Sequence, residues 1–193
     1  MLAFDEAAHT YTLDGKRLPS VTEVCRFLSC DYQSNRPWLA RLAAERGTAI
    51  HGACALIDYG EEAEERPELA GYLAAYRLFL KDYRPDWDLI ESPIGDAALG
   101  LAGTPDRCGT LYDGRRCILD IKTGQLHSAA LRAQLTGYAR LLRRWRPELA
   151  PEVLYGLRLC ADGTYELREA APDEQLLDAC LFLHAATERK KKK

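Results

Sequence analysis

The sequence predicts an α/β fold in which a mixed central β-sheet is flanked by helices. The pairs Asp14-Gly15, Asp113-Gly114 and Asp162-Gly163 each lie between β-prone runs. Asp-Gly in that setting signals a hairpin, because both residues tolerate the positive φ that a two-residue turn demands. Segments with apolar residues at helical spacing alternate with these runs, the pattern of a sheet covered by helices. No internal repeat and no Pro/Gly/Ser-rich linker divides the 193 residues, so one domain is expected over residues 1–188. It comprises an N-terminal hairpin and helix (1–34), a core (37–170) and a C-terminal helix (172–188), with a basic tail at 189–193.

Taken in order, the first hairpin covers residues 11–18 and leads into Ser20-Val21-Thr22-Glu23. A serine followed three residues later by glutamate is a capping box, so a short helix starts there. Pro37 suits the first turn of a helix through Trp38, Leu39, Leu42 and Ala43, and Gly47 is expected to interrupt it before Thr48-Ala49-Ile50-His51 resumes. Residues 61–68 read as a solvated acidic loop, and residues 67–83 as a core helix carrying Leu69, Leu73, Tyr76 and Leu80. Short β segments fill residues 87–117 and end in Arg116-Cys117-Ile118-Leu119-Asp120-Ile121-Lys122. A helix over 128–146, strands at 153–160 and 164–168, and a last helix from Pro172 to 187 complete the expectation.

Composition excludes several classes. No apolar run approaches the ~20 residues of a membrane helix, and the opening Met1-Leu2-Ala3-Phe4-Asp5-Glu6 lacks the basic-then-apolar layout of a signal peptide. A cytoplasmic protein without a membrane partner is expected. Seven cysteines, an odd number without paired spacing, fit reduced thiols better than a disulfide framework. The net charge is -3, yet Arg189 and the four lysines after it supply five positive charges, leaving 21 basic against 29 acidic groups in residues 1–188, a net of -8. The tail is either a native nucleic-acid-binding arm or a cloning remnant. An acidic body does not coat nucleic acid by bulk charge, so a nucleic-acid site must be local.

The chemistry concentrates around the segment 117–122. Strand alternation puts Ile118, Asp120 and Lys122 on one face and Cys117, Leu119 and Ile121 on the other. The Asp113-Gly114 hairpin folds the preceding strand back, which brings Asp106 beside Asp120. Two adjacent carboxylates are costly without a counter-charge, and a hard divalent cation with oxygen ligands is a common solution. Glu91, on the strand before Asp106, is a candidate third carboxylate, and an exposed strand glutamate is the alternative. Gln134 and Tyr138 sit one turn apart on the next helix, alongside Leu131 and Trp145. That helix also carries Arg132, Arg140, Arg143, Arg144 and Arg146 with no acidic residue before Glu148, a candidate phosphate-binding surface or a solvated face. Basic residues comprise 19 arginines and seven lysines, and only Lys16, Lys81 and Lys122 lie outside the tail. A compact ammonium acts as a point charge on phosphate or water in a way a forked guanidinium does not, which singles out Lys122.

Taken together, Gly47-Thr48-Ala49-Ile50-His51, Glu91-Ser92-Pro93-Ile94, Gly103-Thr104-Pro105-Asp106, Ile118-Leu119-Asp120-Ile121-Lys122-Thr123-Gly124 and Gln134-Leu135-Thr136-Gly137-Tyr138 resemble the PD-(D/E)XK nuclease superfamily. The branch they resemble is that of RecB-type and phage-encoded exonucleases, and the five elements span about half of the chain. The opening, His9 to Gly15 followed by Leu18-Pro19-Ser20-Val21-Thr22, is similar to the start of phage members. The resemblance implies a restriction-endonuclease-like core and a Mg²⁺-dependent deoxyribonuclease, with Mn²⁺ as a substitute. It implies an exonuclease of phage or prophage recombination or repair, acting in the cytoplasm of a bacterial host. Asp106, Asp120, His51 and the Ile121 backbone carbonyl would hold the metal, and Lys122 would stand beside the scissile phosphate. Gln134, Tyr138 and, less sharply matched, Glu91 would orient substrate or catalytic groups. Asp120 stands where many relatives carry glutamate, an accepted variant.

DNA is the implied partner, contacted by Arg132, Arg140, Arg143 and Arg144. A phage single-strand annealing protein and homo-oligomers are further expectations of the same resemblance. Only Cys160 and Cys180 follow the core, 20 residues apart and outside any Cys-x-x-Cys pattern, so no iron-sulphur cluster is expected. Alternatives are an endonuclease of the same superfamily, a non-catalytic DNA-binding or assembly module that kept the fold, and a metal-dependent hydrolase of small phosphate esters.

Overall fold

The computed structural model describes residues 1–5, 8–28, 37–64, 66–126 and 128–191. The boundary of the N-terminal segment at residue 34 and the last two tail lysines lie outside the described residues. The elements are strands β1 (Leu2–Asp5), β2 (Thr10–Leu13) and β3 (Lys16–Leu18); helices α1 (Val21–Cys25), α2 (Pro37–Asp58) and α3 (Ala70–Tyr83); strands β4 (Asp86–Ile90), β5 (Ile94–Asp96), β6 (Leu101–Gly103), β7 (Arg107–Thr110) and β8 (Arg116–Lys122). Helix α4 (Ala129–Trp145), strands β9 (Val153–Leu159) and β10 (Tyr165–Glu169) and helix α5 (Glu174–Lys191) follow.

All three Asp-Gly pairs turn hairpins, joining β2 to β3, β7 to β8 and β9 to β10, each glycine at a φ between 78 and 87°. The central sheet has the order β10-β9-β8-β7-β4. It is mixed: β8 and β9 run parallel across α4, and the other pairs are antiparallel. The expected α/β architecture with a mixed sheet between helices is therefore the one observed. One face carries α2 and α3, packed on Cys117, Leu119, Ile121, Val153, Tyr155 and Leu157. The opposite face carries α1, α4 and α5, packed on Cys108, Ile118 and Leu154. A separate three-stranded sheet, β1-β2-β3, leans through Tyr11 and Leu18 on Ala102 of the β5-β6 hairpin.

Several boundaries differ from expectation. Helix α2 runs unbroken through Gly47, whose missing side chain leaves open space on every side. A glycine inside a helix costs about 1 kcal/mol relative to alanine, too little to break a helix of 22 residues. Helix α3 starts at Ala70, after a turn, and α5 runs from Glu174 past 187 into the tail. Strand β1 is not foreseen by the sequence pattern; it pairs with β2 and adds an edge to the first hairpin. Ser20 caps α1 as its sequence indicates, its Oγ accepting from the Glu23 amide at 3.0 Å, while the Glu23 carboxylate turns to Arg17 instead of closing the box. The six described cysteines are free thiols, five of them buried. Among the described residues, no helix is long and apolar enough to cross a membrane.

Candidate metal centre

The pairing of β7 with β8 fixes the first part of the site. Arg107 faces Leu119 in register, so the residue before it, Asp106, comes level with Asp120. Asp106 is 7% exposed and Asp120 1%. The Ile121 amide donates to Asp106 Oδ2 at 2.6 Å, which pins that carboxylate to the edge of β8. Asp120 Oδ2 lies 2.5 Å from Lys122 Nζ, the two side chains sharing a face as alternation requires. Lys122 is the partner of Oδ2, and Asp120 Oδ1 is buried without a hydrogen-bond partner among the described residues. Burial and the neighbouring Asp106 outweigh Lys122 and push the Asp120 carboxyl up, to about 6. Burial also raises Asp106, but His51, Lys122 and the Ile121 amide hold it below the usual carboxylate range.

His51 arrives from the other face of the sheet, on the last two turns of α2. Its Nδ1 stands 3.4 Å from Asp106 Oδ1 and 3.6 Å from Glu91 Oε1. Burial disfavours the imidazolium, yet the two carboxylates win and push its pKa up to about 10. Glu91 lies one residue beyond β4, not within the strand, and adopts a φ of +45°. Among the described residues, one group of His, Cys, Asp and Glu side chains could hold a metal: His51, Glu91 and Asp106, with ligand atoms within 4.8 Å of one another. Oxygen and imidazole donors from three residues, with a buried carboxylate next to them whose Oδ1 has no partner among the described residues, fit a divalent cation that prefers oxygen ligands.

Helix α4 covers the Asp120 side. Tyr138 is 3% exposed, and Gln134 Nε2 donates to its hydroxyl at 3.2 Å. Burial raises the Tyr138 phenol far above its ordinary value, and the charges of Asp120 and Asp106 act in the same direction. Its ring sits on Gly103, where a Cβ would fall 2.6 Å from Cε1. Leu131 is buried with this face, whereas Trp145, one helix end away, is 41% exposed. Tyr11 of the small sheet shares a hydrogen bond with Thr104 at 2.8 Å, two residues before Asp106.

The structure thus brings His51, Glu91, Asp106, Asp120, Lys122, Gln134 and Tyr138 to one end of the sheet. The arginines lie elsewhere, on the outer side of α4, and they are paired. Arg132 meets Asp173 at 3.3 Å, Arg140 meets Glu174 and Asp178, Arg143 meets Glu174 at 3.5 Å, and Arg144 meets Asp96 at 3.3 Å. The lack of acids along α4 itself is therefore compensated mostly by α5, which the sequence pattern could not show.

Two residues of the centre are not singled out by the sequence. Arg107 is fully buried, and its Nε donates to Asp58 Oδ2 at 2.5 Å. Asp58 stands seven residues after His51 on α2, two helical turns on the same side, and this spacing is the signal that the sequence offers.

No protein-family model matches the chain, and no curated protein does. Among solved structures it is similar to the crystal structure of SSO0001, with 17% identity and a TM-score of 0.42 over 85% of this chain and 75% of that one. It is also similar to LHK-Exo in complex with dAMP, with 13% identity and a TM-score of 0.38 over 91% of this chain and 92% of that one.

Proposed function

We propose that the chain is a divalent-metal-dependent deoxyribonuclease of the PD-(D/E)XK type, Mg²⁺ being the natural ion and an exonuclease the reading that the resemblance favours. The observation that carries the proposal is the Asp120 carboxylate: fully buried beside Asp106, paired with Lys122 through Oδ2 alone, and without a hydrogen-bond partner on Oδ1 among the described residues. A purely structural ion pair at that depth would have the remaining carboxylate oxygen hydrogen-bonded as well.

Asp106, Asp120 and Glu91 would hold the cation with His51. Within a strand, a residue's N–H and C=O point to the same side. The Ile121 amide faces Asp106, so its carbonyl is on that side too and is a further ligand candidate. A bound divalent ion would polarise the phosphodiester and lower the pKa of its water. Lys122, its side chain about one-third exposed at 32%, can move from Asp120 to the phosphoryl oxygens and stabilise their developing charge. The Tyr138 phenol stays protonated and can donate to a phosphate oxygen, and Gln134 fixes its direction. Arg132, Arg140, Arg143 and Arg144 would contact DNA by exchanging their present carboxylate partners for phosphates, an exchange of like geometry for a guanidinium.

The test is cleavage of linear and of covalently closed circular DNA with Mg²⁺, with EDTA, and with Asp120→Ala. Loss of linear DNA alone, blocked by EDTA and by the substitution, supports an end-dependent exonuclease. Nicked circles support an endonuclease instead. Bound but intact DNA of both forms overturns the enzymatic reading in favour of a binding module.

A further inference from the structure

Among the described residues, Arg107 is one of the largest fully buried side chains, and it is charged. A buried guanidinium is tolerated only where paired and hydrogen-bonded, so its partners show what it is for. Successive strand residues point to opposite faces: Asp106 turns to the α4 side with Asp120, and Arg107 turns to the α2 and α3 side. There its Nε donates to Asp58, which also accepts the Tyr76 hydroxyl at 2.6 Å, and the Tyr76 ring lies 6.0 Å from the guanidinium carbon. Its Nη1 reaches forward and donates to two acceptors, the Asp106 carbonyl at 2.6 Å and Glu91 Oε1 at 3.1 Å. One guanidinium therefore ties the main chain of one candidate ligand to the side chain of another.

Glu91 shows the effect. Its φ of +45° is one that a glutamate keeps only where the surroundings hold it. Its amide donates to the same Asp106 carbonyl at 3.0 Å, so backbone and carboxylate are both referred to Asp106. Asp58 meanwhile balances the charge of Arg107, which leaves the negative charge of Glu91 available to a cation.

We propose that Arg107, backed by Asp58 and Tyr76, is a positioning residue that sets the Glu91 carboxylate beside Asp106 and His51 and thereby sets the affinity of the site for a divalent cation. This rests on the metal-site reading above and names the residue that tunes it. Partners that orient metal ligands are commonly worth 10–100-fold in metal affinity.

The test is Mn²⁺ titration of the full chain without DNA, followed by calorimetry and by the Mn²⁺ spin-resonance signal, for wild type, Arg107→Lys, Glu91→Gln, the double variant and Tyr76→Phe, with thermal unfolding recorded for each. The expected result is a roughly tenfold or greater loss of Mn²⁺ affinity in Arg107→Lys. A comparable loss is expected in Glu91→Gln, with no further loss in the double variant. Tyr76→Phe, which keeps Arg107 and removes only the bond behind Asp58, shows a smaller loss in the same direction. Independent, multiplying losses in the double variant overturn the proposal, as does a folded Arg107→Lys with wild-type affinity. If Arg107→Lys does not fold, Tyr76→Phe decides: unchanged Mn²⁺ affinity there overturns it. A wild-type chain that binds no Mn²⁺ overturns the metal-site reading and this proposal together, whereas wild-type binding with unaffected variants overturns this proposal alone.

Discussion

The molecule holds two networks of opposite charges with nearly the same ingredients. At the end of the sheet, Asp58, Glu91, Asp106, Asp120, His51, Arg107 and Lys122 meet largely out of water. On the outer side of α4, Arg132, Arg140, Arg143 and Arg144 meet Asp173, Glu174, Asp178 and Asp96 at the partly exposed surface. In the first network, acids outnumber permanent bases and the Asp120 carboxylate keeps one buried oxygen without a partner among the described residues. In the second, every arginine named has a partner. Solvent makes the difference: exposed pairs contribute about 0–1 kcal/mol each, whereas an uncompensated buried charge costs several. The buried imbalance is what the proposed cation would neutralise, and the surface pairs already balance one another.

The sharpest way to break the contrast is Lys122→Ala. With the metal ligands intact, DNA binding and folding should persist while the cleavage rate falls by about 10²–10³-fold, the scale of one lost electrostatic donor. Wild-type turnover measured under single-turnover conditions would remove Lys122 from the mechanism.

Asp120→Asn comes next in size. A carboxyl whose folded pKa is raised to about 6 from an ordinary 3.8 stabilises the fold below the ordinary value, and that contribution is lost as pH rises through about 6. Without divalent ions, the variant should therefore gain on wild type between pH 5 and pH 8, by on the order of 1 kcal/mol, nearly all of it below about pH 6.5. Saturating Mg²⁺ should cancel the gain, because only wild type has the full ligand set. Chemical denaturation at both pH values, with and without the ion, reads the difference.

His51 supplies a graded effect. Its imidazole is protonated below about 10 in the metal-free protein, so a cation bound through it must displace a proton. Mn²⁺ affinity should fall about tenfold for each pH unit lowered from 8 to 6, and His51→Ala should flatten that slope in calorimetric titrations. A parallel slope in the variant would take His51 out of the ligand set.

Arg140→Ala is the smallest. Its two surface partners predict a stability change under about 1 kcal/mol. If the face binds DNA, the slope of log affinity against log salt should decrease by about 0.9, because the variant neutralises one phosphate fewer. An unchanged slope would confine Arg140 to packing α5 on α4.

Much of this is legible in the sequence. The Asp-Gly hairpins locate the turns, and period-two alternation puts Asp120 and Lys122 on one face, because both signals are local and backbone-driven. The hairpin at 113–114 also brings Asp106 level with Asp120 by register alone. What stays hidden depends on the distance between layers. His51 approaches from the opposite face of the sheet, and the Arg107–Asp58 pair joins residues 49 apart in sequence. The carboxylates answering the α4 arginines come mostly from α5, and no periodicity along one helix reports its neighbour. Gly47 misleads for the converse reason: a local breaker is outvoted by the length of the helix around it.

The packing of Tyr138 on Gly103 carries a consequence for any deep mutational scan of this chain. The ring occupies the space where any side chain at position 103 would begin, so no replacement fits while the aromatic remains. Position 103 should appear as a column with one permitted letter, and trimming Tyr138 to alanine should reopen it to small residues, even though the protein so relieved would have lost the phenol that Gln134 holds.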